Sequence, residues 1–424
     1  MSVSEDEKSV RFVEGRGDEL AGNEKEGVDY MNGMKRLAAS TSLLAALLGV
    51  SSITHAEGFY FGEETKGAAI TSNEADLNIR ILLQPRLDAG DIIKSKDGTM
   101  YEAGSDIYFR RIRVELAGSL LAKTIKYNLT LKGDKWDKAG NANDVLFHYA
   151  YIEWEKSAAF AVMAGKHKLP YSRVSLISDA NTLIIEGPLS TEEAKKLFGK
   201  SDAYYQPKLA VKGKFMDGAL AYEAALADGW QNGEAIQTGR TVFKAQPVVA
   251  ARVELSPPGL TDPKKSGSYL GKGRHLTLGL DYARQGSIEY KENDGKETRT
   301  LYGFDVSGHY DGFSAQFEYN RWKTESTDGA VASVKPNGWF AEAGYFIGGL
   351  NIEPAFRYES YNQNTHQEYA KEKNTTVGVN WYLKGQSLKL GLNWVHTKYG
   401  ANASGKLANE DTKDIFELQG QMYF

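Results

Sequence analysis

Apolar and polar residues alternate along most of the chain from about residue 76 to its end. Over 77–88 the odd positions are apolar, while the even positions are mostly polar or charged. The same period of two recurs in 112–116, 125–132, 313–320 and 388–394. Successive side chains of a strand point to opposite faces, and ten-residue stretches with one apolar face are typical of transmembrane β-barrels. The pattern therefore predicts strands with one face for lipid and one for water.

Counting these segments predicts sixteen strands over 76–424, an even number that returns both ends of the barrel to the same side of the membrane. The predicted strands are 77–89, 107–118, 124–133, 144–154, 159–167, 207–216, 219–227, 245–255, 273–285, 300–310, 313–322, 338–347, 350–360, 373–383, 388–397 and 414–424. Short turns such as Asp217-Gly218 and Asp311-Gly312 alternate with long polar connections. Outer-membrane barrels sort their periplasmic turns and external loops in this way. One connection, 256–272, is long although it falls on the short side.

The N-terminal part has the organisation of an exported precursor. In 34–56 a basic pair, an apolar run and a small-x-small cleavage site ending at Ala56 follow one another, as in a secretory signal peptide. The acidic, polar residues 1–33 are expected to be a disordered leader, or to lie upstream of the true translation start. Residues 57–75 are then expected to form an N-terminal periplasmic segment.

Composition excludes several classes of site. The chain contains no Cys, so disulfides and thiolate metal sites are impossible. The formal net charge is −4, which gives no sign of a nucleic-acid partner. No His has the spacing of a metal ligand or of a nucleophile's partner. We therefore expect no enzyme activity, no metal and no cofactor.

Basic residues recur at water-facing positions of the first three predicted strands. The pore-lining candidates are Arg80, Arg86, Arg111, Arg113, Lys126 and Lys132. Because Arg binds anions with two parallel hydrogen bonds, such a strip indicates a path for anions. Wall charges also hydrate any large pore, and Glu115 can neutralise Arg111 and Arg113. Both interpretations remain open from the sequence.

The chain ends on an aromatic residue, Phe424, which closes an alternating segment. Phe416, Leu418 and Met422 share its face, and Glu417 lies on the other. A terminal Phe on an amphipathic strand resembles the signal that the outer-membrane barrel assembly machinery reads. That machinery is therefore an expected partner, together with outer-membrane lipid.

Three stretches of the mature chain resemble the phosphate-selective porin O and P family. They are FRRIRVELAGSLLAKTIKYNLTLK (109–132), HYAYIEWEKSAAFAVMAGKHKLPYSRVSL (148–176) and ANTLIIEGPLS around Glu186. Family members commonly carry an acidic–basic pair at this last position, whereas Gly187 follows Glu186 here. The resemblance implies a homotrimer in the outer membrane of a Gram-negative bacterium, with the long third loop folded into the lumen. It also implies passive diffusion of small hydrophilic solutes, with a weak preference for anions such as phosphate or other oxyanions.

The third loop, 168–206, is the longest connection, and the resemblance makes it a constriction. The constriction-loop candidates are Lys166, Lys168, Arg173, Glu186, Lys195 and Lys196. TEEAKKLFGK (191–200) predicts a short helix with an ion pair between Glu192 and Lys196. A charged constriction would select solutes by the sign of their charge, whereas a solvated loop would only pair its charges internally.

The leading function from the sequence is thus an outer-membrane diffusion porin. Two alternatives share the fold: a barrel sheath around a periplasmic multihaem cytochrome, which requires a bore free of the loop, and a structural or adhesive barrel. A sugar channel would need a continuous aromatic slide, and the sequence has no such pattern.

Overall fold

A computed structural model describes residues 58–62, 67–199, 203–235, 240–291, 295–326 and 333–424. The predicted leader 1–33 and signal peptide 34–56 lie outside the described residues. Among those residues, no helix has the length and hydrophobicity needed to cross a bilayer.

The described chain is almost entirely β-structure. Its strands are β1 Gly58–Gly62, β2 Gly67–Thr71, β3 Asp76–Lys94, β4 Tyr101–Leu120, β5 Ile125–Trp136, β6 Leu146–Ser157, β7 Phe160–Lys168, β8 Tyr205–Phe215, β9 Leu220–Ala227, β10 Val242–Ala245, β11 Val248–Leu255, β12 Arg274–Tyr290, β13 Lys296–Tyr310, β14 Phe313–Ser326, β15 Asn337–Tyr345, β16 Ile352–Asn362, β17 Lys371–Lys384, β18 Leu388–Tyr399 and β19 Thr412–Tyr423. Two short helices, α1 Arg173–Leu176 and α2 Leu189–Ala194, lie between β7 and β8. A 3-10 turn spans Met216–Gly218.

Sixteen of these strands form a closed antiparallel barrel. From β3 to β9 and from β11 to β19, each strand pairs with the next one along the chain, and β11 pairs with β9. β19 pairs with β3, which closes the sheet on itself. The predicted sixteen-stranded antiparallel barrel is therefore confirmed.

The two faces of the barrel have opposite chemistry. Large apolar side chains are exposed on the outer face, as at Ile152 (60%) and Leu209 (61%). Polar side chains on the inward face are buried, as at Gln84 and Glu353, both 0% exposed. An apolar outer band around a polar interior is the arrangement that a bilayer requires of a barrel.

Short turns on one side of the barrel confirm the predicted alternation of connections. Asp217 and Gly218 have φ values of 52° and 88°, and Asp311 and Gly312 have 46° and 85°. In the first turn Met216 has a positive φ as well, at 51°. Successive positive φ values match the right-handed twist of the flanking strands, and Asp-Gly tolerates them best. The connection between β11 and β12 is the long member of this set, as the sequence indicated.

The part of the predicted periplasmic segment that the structure describes forms strands. β2 pairs with residues 76–79 at the start of β3. Higher on the same edge of β3, Phe424 exchanges main-chain hydrogen bonds with Ile81, at 2.6 and 3.1 Å between N and O. β19 and β2 therefore pair with successive parts of the same edge of β3, and β2 pairs with the part that lies beyond the end of β19.

Candidate functional site

A β-bulge in β4 places two successive arginines on the inward face of the barrel. Gln84 of β3 lies opposite Arg111, but Pro85 lies opposite Phe109, so Arg110 is the extra residue. An extra residue re-aims the side chains around it. Both Arg110 and Arg111 consequently reach the same carboxylate, that of Glu186.

Arg110 is not among the candidates predicted from the sequence, because a period of two continued back from Ile112 and Val114 points position 110 to the lipid face. A signal was present nevertheless. The apolar positions are odd at Ile107 and Phe109 but even at Ile112 and Val114. Such a change of phase within one strand requires an additional residue between the two halves.

Glu186, in the long connection between β7 and β8, is the centre of this cluster. Its Oε1 accepts a hydrogen bond from Arg110 Nε at 2.5 Å, and its Oε2 accepts one from Arg110 Nη2 at 3.0 Å. Arg86 also forms an ion pair with it, and Arg111 Nη2 lies 3.9 Å from Oε2. Burial alone would raise the pKa of Glu186, but Arg110 and Arg86 outweigh it and hold the pKa well below its ordinary value. Glu186 is therefore ionised at neutral pH.

Arg86 connects Glu186 to the seam where the barrel closes. Its Nε lies 2.5 Å from Asp88 Oδ1, and its Nη2 lies 2.5 Å from Glu417 Oε1 on β19. The Arg86 side chain is only 4% exposed. One guanidinium group thus bonds three carboxylates, from β3, β19 and the connection.

A second acid of the same connection, Asp179, neutralises the next two arginines. Its Oδ2 lies 3.4 Å from Arg111 Nε and 3.1 Å from Arg113 Nη1. Burial would raise the pKa of Asp179, but these two arginines hold it well below its ordinary value. Asp179 is not among the candidates predicted from the sequence, since nothing local distinguishes it from other loop acids.

The remaining pore-lining candidates also lie beside carboxylates. Arg80 Nη1 is 3.5 Å from Glu115 Oε2, so Glu115 pairs with this arginine rather than with the two expected. Lys126 pairs with Glu155. Lys132 Nζ lies 4.0 Å from Asp134 Oδ2. The structure brings the predicted basic residues together on one wall, but in ion pairs.

The constriction-loop candidates have separate environments. Lys166 belongs to β7, and its Nζ donates to Phe147 O at 2.8 Å. Lys168 is buried and donates to Ile177 O at 2.8 Å. Lys195 and Lys196 pair with Glu192 and Glu193, each at 2.6 Å. The predicted ion pair between Glu192 and Lys196 is therefore replaced by two pairs three residues apart.

Arg173, the last of these candidates, is buried in a polar network at the start of α1. Its guanidinium group donates to Gln316 Oε1 at 2.5 Å and to Asp262 Oδ2 at 2.7 Å. It also donates to Ser266 O at 3.1 Å and to Tyr269 Oη at 3.0 Å. Arg173 therefore joins the long connection to β14 and to the β11–β12 connection.

Gly187 occupies the place of the missing basic residue next to Glu186. A side chain there would overlap the carboxylate of Glu192. The cations that neutralise Glu186 come instead from β3 and β4, about a hundred and about 76 residues away in sequence. The deviation from the family pattern is thus compensated by the barrel wall.

Acidic side chains of the opposite wall accept hydrogen bonds from the third loop, which in the structure comprises residues 169–204 between β7 and β8. Ser172 N donates to Asp281 at 2.8 Å and Leu189 N to Glu359 at 2.5 Å. Thr191 Oγ1 donates to Glu318 at 3.0 Å. These three acids lie on β12, β14 and β16.

Carbonyl groups of the third loop accept bonds from yet other strands. Asn380 Nδ2 on β17 donates to Leu183 O at 2.7 Å, and Gln421 Nε2 on β19 donates to Ala180 O at 2.9 Å. Arg357 on β16 donates to Glu186 O at 2.7 Å. Together with the bonds to β3 and β4, the loop contacts strands from most of the circumference of the barrel.

Apolar residues of the inward face also hold the third loop. One buried cluster joins loop residues such as Tyr171, Phe198 and Tyr204 to small or apolar residues of the wall. The wall members are Ala227, Val248, Ala250, Ala283, Leu301 and Trp322. Burial of these groups stabilises the loop position by the hydrophobic effect.

Two cavities adjoin the third loop. A cavity of about 380 Å³ is lined by loop residues such as Asp179 and Asn181 and by wall residues such as Arg80, Arg113 and Tyr151. A larger one of about 920 Å³ opens on the side of the short turns. Within the described ranges, no group of three or more His, Asp or Glu side chains is arranged to hold a metal ion.

Comparison with known sequences identifies a family and a related protein. Residues 79–424 match the family described as phosphate-selective porin O and P. An uncharacterized protein of Aquifex aeolicus (strain VF5) is 33% identical over 399 residues, which cover 87% of this chain and 92% of the relative.

Solved structures of low sequence identity share the fold. An anion-selective porin from Comamonas acidovorans is 16% identical with a TM-score of 0.60, covering 83% of this chain and 100% of that one. OmpT of Vibrio cholerae, in its trimer form, is 10% identical with a TM-score of 0.54 over the same shares. These likenesses concern the barrel architecture.

Proposed function

We propose that this chain, which belongs to the phosphate-selective porin O and P family, is a weakly anion-selective diffusion channel. The protein is an outer-membrane porin, and its family and fold are those of channels rather than of enzymes. In the proposal, the third loop narrows the lumen, and Asp179 and Glu186 reduce the attraction of the arginine wall for anions.

The hydrogen bonds of the third loop carry this proposal. Its backbone bonds with Asp281 on β12, Glu359 on β16 and Gln421 on β19, while its acids bond with β3 and β4. A segment tied to inward-facing groups on opposite walls narrows whatever path runs through the barrel. So many fixed bonds favour a permanent constriction over a moving gate.

Charge balance favours weak rather than strong selectivity. Arg86, Arg110, Arg111 and Arg113 form a basic wall, but Asp179 and Glu186 supply two permanent negative charges within it. Pore selectivity depends on the net charge that a permeating ion meets. Asp88 and Glu417 pair with Arg86, and Asp134 pairs with Arg113. The cluster therefore has no large excess of either sign, so the preference for chloride over potassium is only modest.

Tight phosphate binding is not expected from this geometry. Arg110 already forms the two-pronged bond to Glu186 that it would otherwise offer to phosphate. An entering phosphate would have to displace a carboxylate that three arginines hold. The solutes are therefore small hydrophilic molecules and anions in general.

Planar bilayer recording tests the function directly. We expect the refolded wild-type barrel to give open channels in a KCl gradient, with a small reversal potential of the sign for chloride over potassium. Added phosphate should carry current without blocking it at micromolar concentration. Strong phosphate block would contradict the weak-selectivity proposal, and well-folded barrels without current would contradict the channel itself.

The two alternatives predicted from the sequence have less support. A cytochrome sheath needs an open bore, whereas the third loop bonds with the inward faces of β3, β12 and β17. A purely adhesive barrel has no use for a buried arginine cluster next to a cavity of about 380 Å³. Absence of current from folded barrels would revive the second alternative.

We also propose that the functional unit is a homotrimer. One solved relative of the same fold, OmpT of Vibrio cholerae, is described in a trimer form. Native mass spectrometry of detergent-purified protein distinguishes the trimer from a monomer, and conductance steps in multiples of three support it.

Phe424 is proposed to be the assembly signal for the barrel machinery. Its side chain is 48% exposed at the end of the closing strand, and its backbone bonds with Ile81. We expect deletion of Phe424 to lower the amount of folded protein in the outer membrane about tenfold, which corresponds to roughly 1.4 kcal/mol of recognition. The amount of folded protein is measured from its heat-modifiable mobility in gel electrophoresis of outer-membrane fractions. Phe424→Trp keeps the aromatic group and should assemble normally; equal loss in both variants would contradict a specific aromatic signal.

A further inference from the structure

The β11–β12 connection folds inward instead of extending from the barrel. Residues 256–273, called the strap, form a long connection on the side of the barrel where the neighbouring turns are short. Ser266 and Ser268 are buried, with 8% and 3% exposure. A solvent-exposed loop of this polarity would leave them accessible, so the strap has a defined position within the barrel.

The strap bonds with the third loop at two places. Gly267 N donates to Asn181 O at 2.8 Å. A side chain at position 267 would overlap the backbone nitrogen of Leu183, so this close approach requires Gly. The second place is Arg173, which donates to Asp262 Oδ2 at 2.7 Å and to Ser266 O at 3.1 Å.

Beyond the third loop, the strap contacts adjacent wall residues and more distant turns. The Tyr269 ring packs against His275 of β12 and His309 of β13, with ring centroids 4.8 Å from each. Leu270 lies beside Gly385 in the β17–β18 turn, and Gly271 lies beside Phe346 in the β15–β16 turn. The strap thus crosses from β11–β12 to the turns of β15–β18.

The first part of the strap lines the larger cavity. Thr261, Asp262, Pro263 and Lys265 form one side of the 920 Å³ space. Wall residues of β5 to β9 form the other side, among them Lys126, Lys212 and Glu223. This cavity therefore lies between the strap and the wall formed by β5–β9.

We propose that the strap is a second constricting element, which holds the third loop from the periplasmic side and confines the exit to the cavity lined by β5–β9. This proposal rests on the channel function proposed above. Solutes that pass the arginine wall leave along Lys126 and Lys212 on one side and along Thr261 of the strap on the other. Two independent segments, the loop and the strap, then determine the conductance.

Shortening the strap tests its contribution to conductance. Replacing 258–272 by a five-residue Gly/Ser linker leaves enough chain to join β11 to β12, since each residue spans up to about 3.4 Å. We expect the single-channel conductance to rise about twofold, because the exit is no longer confined to the cavity lined by β5–β9. Lys264→Gln, an exposed change within the strap, is the control and should leave the conductance unchanged. Equal conductance in the shortened and wild-type channels would overturn the proposal.

A second measurement does not depend on how the shortened barrel folds. The chain has no Cys, so Thr261→Cys introduces a single thiol into the full-length protein. A bulky thiol reagent added from the periplasmic side should reduce the current stepwise in this variant. The same reagent on Lys264→Cys, whose side chain is exposed and outside the cavity lining, should reduce it far less. Equal effects at both positions, or none, would overturn the exit route, while wild-type barrels without current would refute the channel function instead.

Discussion

Replacing Asp179 by Asn and Glu186 by Gln in one chain is expected to convert a weakly selective pore into a strongly anion-selective one. The double variant removes two negative charges from a wall that contains Arg86, Arg110 and Arg113. A unit charge about 6 Å from a permeating ion contributes about 0.7 kcal/mol in water-like surroundings. Two such charges act on chloride and on potassium with opposite signs, so the unscreened preference changes by about 2.8 kcal/mol. Salt with a Debye length of about 10 Å roughly halves this value, and about 1.4 kcal/mol corresponds to a tenfold change in preference.

Reversal potential in a KCl gradient measures this change. The matched control is Glu192→Gln with Glu193→Gln, which removes the same charge from the same loop. These two acids pair with Lys195 and Lys196 instead of with the arginines of the wall. The control should move the reversal potential only slightly. A double variant with the wild-type reversal potential would mean that ions do not pass the arginine wall.

Acid pH should not reproduce the effect of the double variant. Because arginines depress the pKa of both acids, their charges persist as pH falls through the ordinary carboxylate range. The difference in reversal potential between the wild type and the double variant is therefore expected to stay constant from neutral pH down to about pH 4, where an unperturbed carboxylate with a pKa of about 4 would be half protonated.

Replacing Arg86 by Gln is expected to have the largest combined effect on selectivity and stability. The Arg86 side chain is only 4% exposed, and its removal would take away the cation that the carboxylates of Glu186, Asp88 and Glu417 share. Breaking a buried ion pair from one side costs about 3–5 kcal/mol. The local charge also changes by one unit, so the preference should shift from anions toward cations.

Thermal unfolding and reversal potential of Arg86→Gln report these two effects separately. Arg80→Gln is the matched control, with the same substitution on the same strand. Arg80 is 30% exposed and lies 3.5 Å from Glu115, so its removal should cost less than about 1 kcal/mol. Similar melting temperatures for the two variants would contradict the central role assigned to Arg86.

The barrel could be predicted from the sequence because its signal is local. Each strand shows its own alternation, and turns such as Asp311-Gly312 mark where the chain reverses. The strand boundaries agree to within a few residues for most of the barrel. The extent of the long strands β3 and β4 was underestimated, since their ends pass beyond the apolar band into polar residues.

The cluster could be predicted only in part because its pairs are distant in sequence. The basic residues follow from alternation, but their partners do not: Arg113 bonds with Asp179, and Arg110 with Glu186. Arg110 itself was not predicted, because a bulge interrupts the period on which the candidates depend. The inward-facing Ala250 and Ala283, which receive the third loop, read as interruptions of a polar face rather than as its docking surface.

β2 and β19 share one edge of β3, which has a consequence for how the barrel closes. Phe424 bonds with Ile81, and Ala68 of β2 already lies opposite Ile79. A slip of β19 by two residues toward β2 would make both strands compete for the same hydrogen-bonding groups. β2, which also pairs with β1, therefore blocks a slip of β19 in this direction and helps to fix the register in which the barrel closes.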